Sequence, residues 1–480
     1  MTAKLLFSLV LLSFAASAAS ATIITVDWAG GGDYTLIQDG IDAAGRADTI
    51  LVMPGTYTGE GNRLLEFEEI DQVLMSSGGP DSVTIDCEGE GRAFYFWHSE
   101  TLACIVDGFT ITNGATTSGG GGMRFSESSP TIRNCVLTGN VADVGGGGVY
   151  CHTSASPSFI GCTFSSNLAH EGGGVGCSSG ANPSFESCTF LSNTATIRGG
   201  GANLDGASAD FATCTFEGNS VTGASSRGGG LSVIDGSTAT LYDCLFDGNG
   251  APSYGGAFYI ATNVSDATLV AVEFTGNTAE YGAAVAVTNE NEPLFDACWF
   301  VENVAAHDGG AVHSSDGAVP VFDDCTFDDN SAGDKGGAMN FGWFSTPELV
   351  SCTFYANSSP VGSGIWCDDN FTLTNCIIAF GVGGEAVHCD GDAPYPSCTD
   401  IYGNAGGDWV GCLSGLDLVD NNLHANPLFC DAGEGDLTID VASPCTAANA
   451  PLCGLIGARD IDCDTPVQAE SWSAIKAMYR

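Results

Sequence analysis

The chain holds 480 residues, 67 of them glycine, with 58 acidic against 12 basic side chains and a formal charge of −46. Only 15% of residues are charged while 44% are hydrophobic, which excludes a disordered acidic tail, because disorder requires few apolar residues as well as many charges. So acidic a chain without a basic stripe excludes nucleic acid as a partner, and glycine at this density without a three-residue period excludes collagen and disfavours a mainly helical fold. Cations, neutral surfaces and basic proteins are the expected partners.

Residues 1–21 read as an export signal. A short basic start at Lys4 is followed by an apolar run from Leu5 to Ala16 and the small-residue exit Ala19-Ser20-Ala21, with cleavage expected after Ala21. The apolar run is too short to span a bilayer, and no later segment approaches about 20 continuous apolar residues, so no transmembrane segment is expected in the mature chain. The expected location is the extracellular or outer-membrane surface of a bacterium. Residues 22–95 follow as an N-terminal cap and first coils: Thr35 is placed to cap a short helix whose Leu36, Ile37, Ile41 and Ala44 cover the open end of a solenoid.

The repeat occupies residues 96–392. Cys-x-Phe-x-x-Asn recurs as Cys162-Phe164-Asn167, Cys188-Phe190-Asn193, Cys214-Phe216-Asn219, Cys244-Phe246-Asn249, Cys298-Phe300-Asn303, Cys325-Phe327-Asn330 and Cys352-Phe354-Asn357. Cys135-Leu137-Asn140 and Val272-Phe274-Asn277 are conservative copies, and Cys376-Ile378 is a degenerate last one. A Gly-rich turn before alternating residues lies between copies, as in Gly146-Gly147-Gly148-Val149-Tyr150-Cys151 and Gly255-Gly256-Ala257-Phe258-Tyr259-Ile260. Two strands per repeat is the minimum. The period is too short for a propeller blade and suits one solenoid coil. Alternation sends Cys and Phe inward and Thr163, Thr189, Thr215, Thr326 and Thr353 outward. Copies in parallel register then stack like residues at about 4.8 Å, and ten repeats with end coils predict a rod of roughly 60–70 Å. The expected fold is all-β, a right-handed parallel β-helix with a short N-terminal capping helix. Each motif Asn is placed to hydrogen-bond its copies above and below.

All 21 cysteines follow the signal, and their odd number leaves at least one thiol free or paired between chains. Ladder cysteines are expected as buried thiols, because in-register side chains point alongside rather than toward each other. The Cys-rich C-terminal coils and cap, residues 393–463, hold the disulfide candidates Cys398, Cys412, Cys430, Cys445, Cys453 and Cys463, which allow 15 pairings. Residues 464–480 form a tail with helical spacing from Ser471 to Arg480, either a sorting or attachment tag or a frayed end.

The paired Gly-Gly-Ala/Gly-apolar and Phe-x-x-Asn signatures between Gly119 and Asn357 resemble the repeats of polymorphic outer-membrane proteins in the right-handed parallel β-helix group. The stretch Gly32-Asp33-Tyr34-Thr35-Leu36-Ile37-Gln38, with Asp48-Thr49-Ile50-Leu51-Val52 running into Pro54-Gly55-Thr56-Tyr57, is similar to the opening of pectinesterase-like and pectate-lyase-like β-helices. Asn426-Pro427-Leu428-Phe429-Cys430 through Ser443-Pro444-Cys445 resembles the closing coil of secreted β-helix proteins. The first resemblance implies a membrane β-barrel after the repeats, whereas only Asp464 to Arg480 follows Cys463.

Candidate chemistry lies on outward positions. Glu217 and Asp247 are expected as neighbours on adjacent coils, and calcium is the natural bridge for two like charges that close. Trp299 and Tyr355 on the Cys-Phe strand, and Tyr150, Tyr259 and Trp366 after the Gly turn, suit stacking on sugar rings or docking a partner; Trp299, Tyr355 and Trp366 are the named candidates. Pectinesterase and polygalacturonase signatures are missing, and only Lys335 is basic between Arg227 and Arg459, so no catalytic residue is assigned. The seven histidines show no metal-ligand spacing, and His313 and His388 are expected as plain surface residues. The resulting expectation is a secreted or surface-displayed rod with a non-catalytic adhesion, envelope or ligand-binding role toward a polysaccharide or surface protein. A polysaccharide lyase or hydrolase and a structural spacer are the alternatives.

Overall fold

A computed structural model describes residues 21–463 apart from 69, 263 and 264. The export signal up to residue 20 and the tail from 464 lie outside the described residues. The chain winds into a parallel β-helix of three long sheets, of fifteen, fourteen and twelve strands, with two five-stranded sheets along one corner. Each coil therefore carries three strands, not two. The strand missing from the sequence reading precedes the Cys motif, as in Ser158–Ile160 and Ser184–Glu186, and belongs to the fifteen-stranded sheet. At about 4.8 Å per strand that sheet extends roughly 65–70 Å.

Register is strict because the chain bends sharply at three corners per coil. One corner is a single left-handed residue between the first two strands, such as Ser187 (φ 52°) or Asp243 (φ 53°), and the ladder cysteine follows it directly. The Cys188 thiol donates to the carbonyls of Glu186, just before the bend, and of Phe159, one coil below. A small buried donor fits there, and a reduced thiol adds a hydrogen bond to the Glu186 carbonyl, which also accepts from Gly161 N. The second corner carries the asparagines. Asn193 Nδ2 donates to Phe164 O and to Asn219 Oδ1, Asn193 N donates to the same oxygen, and the pattern runs from Asn140 to Asn357. At the third corner Gly146 sits at φ 63°, and a Cβ on Gly147 would stand 2.4 Å from Gly173 O, so the coil above leaves no room for a side chain.

Inward positions stack. Phe164, Phe190, Phe216, Phe246, Phe274, Phe300, Phe327 and Phe354 form one column with ring centroids 4.3–5.0 Å apart. Such pairs add about 0.5–1.5 kcal/mol each beyond the area they bury. All ladder cysteines are free and buried, and Val272 fills the gap in their column. Burial pushes the Cys135 thiol up to about 12, so this thiol stays protonated.

Both ends are closed. The helix Ile37–Ala43 buries Ile37 and Ile41 over the first coil, but its first N–H is met by Asn62 Oδ1, not by Thr35; the cap comes from a loop a coil later in sequence, which local spacing does not reveal. At the other end the disulfides are Cys389–Cys412, Cys398–Cys453 and Cys430–Cys463. Cys445 is not among them: it is buried and its thiol donates to Asp400 Oδ2 at 3.3 Å, while Cys389, a repeat-strand residue, takes its place. The segment held by these bridges folds back onto the outward face of the fourteen-stranded sheet. Ala458 N donates to Thr353 Oγ1, and a Cβ on Gly457 would meet Ile377 at 2.6 Å. Thr326 and Thr353 are consequently buried despite pointing outward. Among the described residues no helix is long and apolar enough to cross a membrane.

Candidate functional site

Two outward faces carry the chemistry. On the fourteen-stranded sheet, Thr163, Thr189, Thr215, Leu245, Glu273, Trp299, Thr326 and Thr353 share one column. Leu191, Glu217, Asp247, Thr275, Val301, Asp328 and Tyr355 share the next. Glu217 and Asp247 are direct register partners, as the repeat requires. Among the described residues no group of three or more His, Cys, Asp or Glu side chains is placed to hold a metal ion.

Trp299 marks where the C-terminal cover begins. Its ring is 42% exposed, and the Arg459 guanidinium lies 3.5 Å from its centroid. Burial draws Arg459 down to about 10, opposed by Asp324 and Asp328. Asp328 is itself raised to about 6 by burial and by Asp329 and Glu302, with Arg459 opposing. Tyr355 stands edge-on between Phe380 and Phe429, so its ring is committed to the cap.

The twelve-stranded sheet presents the other face. Its outward row reads Tyr95, Arg124, Tyr150, Gly176, Asn203, Ser232, Tyr259, Ala286, His313, Asn340, Trp366 and His388, in register along the rod. A second column stands beside it, at the residue before each Gly turn: Glu171, Arg198, Arg227, Tyr254, Tyr281, Asp308 and Lys335. These columns interlock. Arg227 lies over Tyr254 and Tyr259 and donates to the Tyr259 hydroxyl at 2.7 Å, Tyr254 stacks on Tyr281, and Tyr281 stacks on His307. Lys335 Nζ sits 4.0 Å over the Trp366 ring.

That contact corrects the reading of Trp366 as an exposed aromatic: it occupies the outward position, but the neighbouring column covers it to 6% exposure. Tyr259 is buried in the same way. His313 is buried rather than on the surface, and desolvation depresses it to about 4, so it is neutral near pH 7. His388 bridges Glu385 and Asp390, whose hydrogen bonds outweigh burial and raise its pKa. Five of the nine buried side-chain atoms without a partner among the described residues fall on this face: Arg92 Nη1, Asn203 Oδ1, Ser232 Oγ, His313 Nδ1 and Trp366 Nε1.

Matches to the family described as "Right handed beta helix region" run over residues 84–249, 192–354 and 256–423. The chain belongs to this family. This right handed beta helix protein also resembles the solved structure titled "Crystal structure of pectate lyase Pel9A", at 11% identity and a TM-score of 0.33, over 92% of this chain and 97% of that one. So distant a likeness says nothing about activity. No curated protein matches the chain.

Sequence reasoning missed Arg92, Arg124 and Arg227 as site residues because on the outward row after the Gly turn it singled out aromatic rings and not cations. The usable signal lay before the Gly turns: Arg198-Gly199, Arg227-Gly228, Tyr254-Gly255, Tyr281-Gly282 and Lys335-Gly336 are in phase, and that phase puts them on one face.

Proposed function

We propose that this protein is a non-catalytic binding rod for an extended polysaccharide or a surface protein, exported and displayed at a bacterial cell surface for adhesion or envelope structure. One observation carries the reading: the aromatic, amide and cationic side chains of the twelve-stranded sheet form two columns in register, spaced about 4.8 Å apart along the axis. The row after the Gly turn is largely buried beneath the neighbouring column, and that column, Arg198, Arg227, Tyr254, Tyr281 and Lys335, presents the rings and hydrogen-bonding groups that suit an extended, hydroxyl-rich chain. The likeness of the Gly-Gly and Phe-x-x-Asn repeats to polymorphic outer-membrane proteins agrees with surface display. Glu217 and Asp247 are proposed to share a calcium ion, with water completing its shell.

A second reading has its own support. Asp328, held near 6 beside Arg459 on the opposite face, is partly protonated at neutral pH and suited to proton transfer, as a glycan lyase or hydrolase needs. Incubating the mature chain, with and without calcium, with neutral and acidic polysaccharides separates the readings. Retention on one polymer without new chain ends supports the rod. New chain ends lost in Asp328→Asn would replace it with the enzyme, and neither retention nor cleavage would leave a structural spacer. A calcium-dependent rise in melting temperature that Glu217→Gln and Asp247→Asn together abolish is the expected sign of the shared ion.

A further inference from the structure

The cationic end of the twelve-stranded face departs from the rest of this acidic molecule. Arg92 is 8% exposed and precedes the strand Phe94–Phe96, while Arg124 lies on the neighbouring strand Met123–Ser126. Their guanidinium carbons flank the Tyr95 ring at 5.6 and 5.7 Å, and Arg124 also lies 5.9 Å from the Tyr150 centroid. Both converge on one neutral oxygen: Ser118 Oγ accepts from Arg92 at 2.8 Å and from Arg124 at 3.4 Å. Arg92 also donates to Thr116 Oγ1, and its Nη1 has no partner among the described residues. Arg124 Nε donates to His152 Nε2, so that histidine is neutral, its other nitrogen at 2.7 Å from Thr153 Oγ1. Burial and the two guanidinium groups keep His152 below its ordinary range.

Four of the six other described arginines, Arg46, Arg63, Arg133 and Arg198, are ion-paired with a carboxylate, while Arg227 and Arg459 lie over aromatic rings. Arg92 and Arg124 form no ion pair among the described residues, in a chain with 58 carboxylates. Burying two like charges against each other is unfavourable, and an anion between them relieves it. Beside them Trp97, 47% exposed, stacks on Tyr95 at 5.8 Å and offers a flat apolar platform.

We infer that Arg92 and Arg124, with Ser118, Tyr95 and Tyr150, form an anion subsite that takes the carboxylate of an acidic sugar whose ring rests on Trp97. This rests on the proposal that the face binds a glycan, and it names the end unit. A guanidinium fork matches a carboxylate in plane and spacing, and the aromatic ledge matches a sugar ring. Further along the same face the charges alternate, with Glu171 paired to Arg198 and Asp308 standing between Tyr281 and Lys335 in the same column, so there is no continuous cationic track and the ligand is a mainly neutral glycan with an isolated or terminal acidic unit, not a continuous polyanion.

The test measures binding of the full mature chain, by Trp fluorescence and calorimetry, to a xylo-oligosaccharide bearing a single glucuronate. The same oligosaccharide with its carboxyl reduced to the alcohol, a galacturonate pentamer and inorganic sulfate are the comparison probes. The single-uronate probe should bind at least tenfold more tightly than its reduced form. Arg124→Gln should erase that difference and Arg124→Lys should keep part of it. Trp97→Ala, with its fold checked by circular dichroism, should weaken the single-uronate probe at least fivefold. Equal binding of acid and reduced forms, untouched by Arg124→Gln, would overturn the subsite while leaving the glycan rod standing. Binding of no oligosaccharide would overturn both. Tighter binding of the pentamer, or sulfate binding as tight as the single-uronate probe, would overturn the sparsely charged sugar as the ligand.

Discussion

Replacing Asn219 with Ala tests whether the buried amide ladder holds the coils in register. The side chain makes four hydrogen bonds: its Oδ1 accepts from Asn193 N and Nδ2, and its Nδ2 donates to Phe190 O and Asn249 Oδ1. The truncation strands Asn193 N, one Asn193 amide proton and the Phe190 carbonyl, whereas Asn249 Oδ1 keeps its bond from Asn219 N. At about 1–3 kcal/mol for each buried group left unpaired, the loss is roughly 3–9 kcal/mol, and about 3 if water enters the space. That is comparable with the whole stability of many domains. Urea unfolding followed by circular dichroism measures it, with Glu217→Gln, two residues earlier on the outward side, as a control expected within about 0.5 kcal/mol. A loss below 1 kcal/mol with an unchanged denaturant slope would refute the ladder as the source of register.

The fifteen free thiols are all buried and should resist alkylation in the folded chain and all react in denaturant, counted by mass spectrometry. Burial lifts Asp400 from 3.8 to about 6, so its contribution to stability is intact below pH 3.8 and is lost as pH rises through 6. The loss is about 3 kcal/mol for a shift of roughly two pKa units, and Asp400→Asn should flatten that stretch of the pH profile of urea midpoints. Arg459→Ala should uncover Trp299 and raise its fluorescence quenching by acrylamide, and reducing Cys430–Cys463 should do the same by releasing the segment that carries Arg459.

Inward chemistry was legible because a repeat samples each position many times. Cys, Phe and Asn recur at fixed offsets, and a parallel register converts each into a column, so the fold, the reduced thiols and the amide ladder followed from spacing. Contacts that occur once were not legible. Asn62 capping the helix, Cys389 rather than Cys445 in a disulfide, and Ala458 on Thr353 each join segments with no shared period. The candidate site fell between these cases. Its outward row is periodic, so Tyr150, Tyr259 and Trp366 were placed correctly, but the burial of Trp366 depends on Lys335 in an adjacent column, and alternation along one strand carries no information about that neighbour.

The same logic explains why function concentrates on one face. The inward Cys, Phe and corner Asn positions of the repeat are largely committed to columns of their own kind, because a Phe or Asn out of place would break contacts with the coils above and below. Outward positions are freed from that rule, and they vary: Tyr, Arg, Gly, Asn, Ser and His alternate along one row. On the fourteen-stranded sheet part of that freedom is given up to closing the rod, since the disulfide-held segment covers Thr326, Thr353 and Ile377. On the face of the twelve-stranded sheet the scarce cations of a chain with charge −46 gather against aromatic rings. In so negative a field, pairing each cation with a nearby carboxylate would be the stable arrangement. Arg92 and Arg124 without one are therefore a cost to folding that a bound anion would repay.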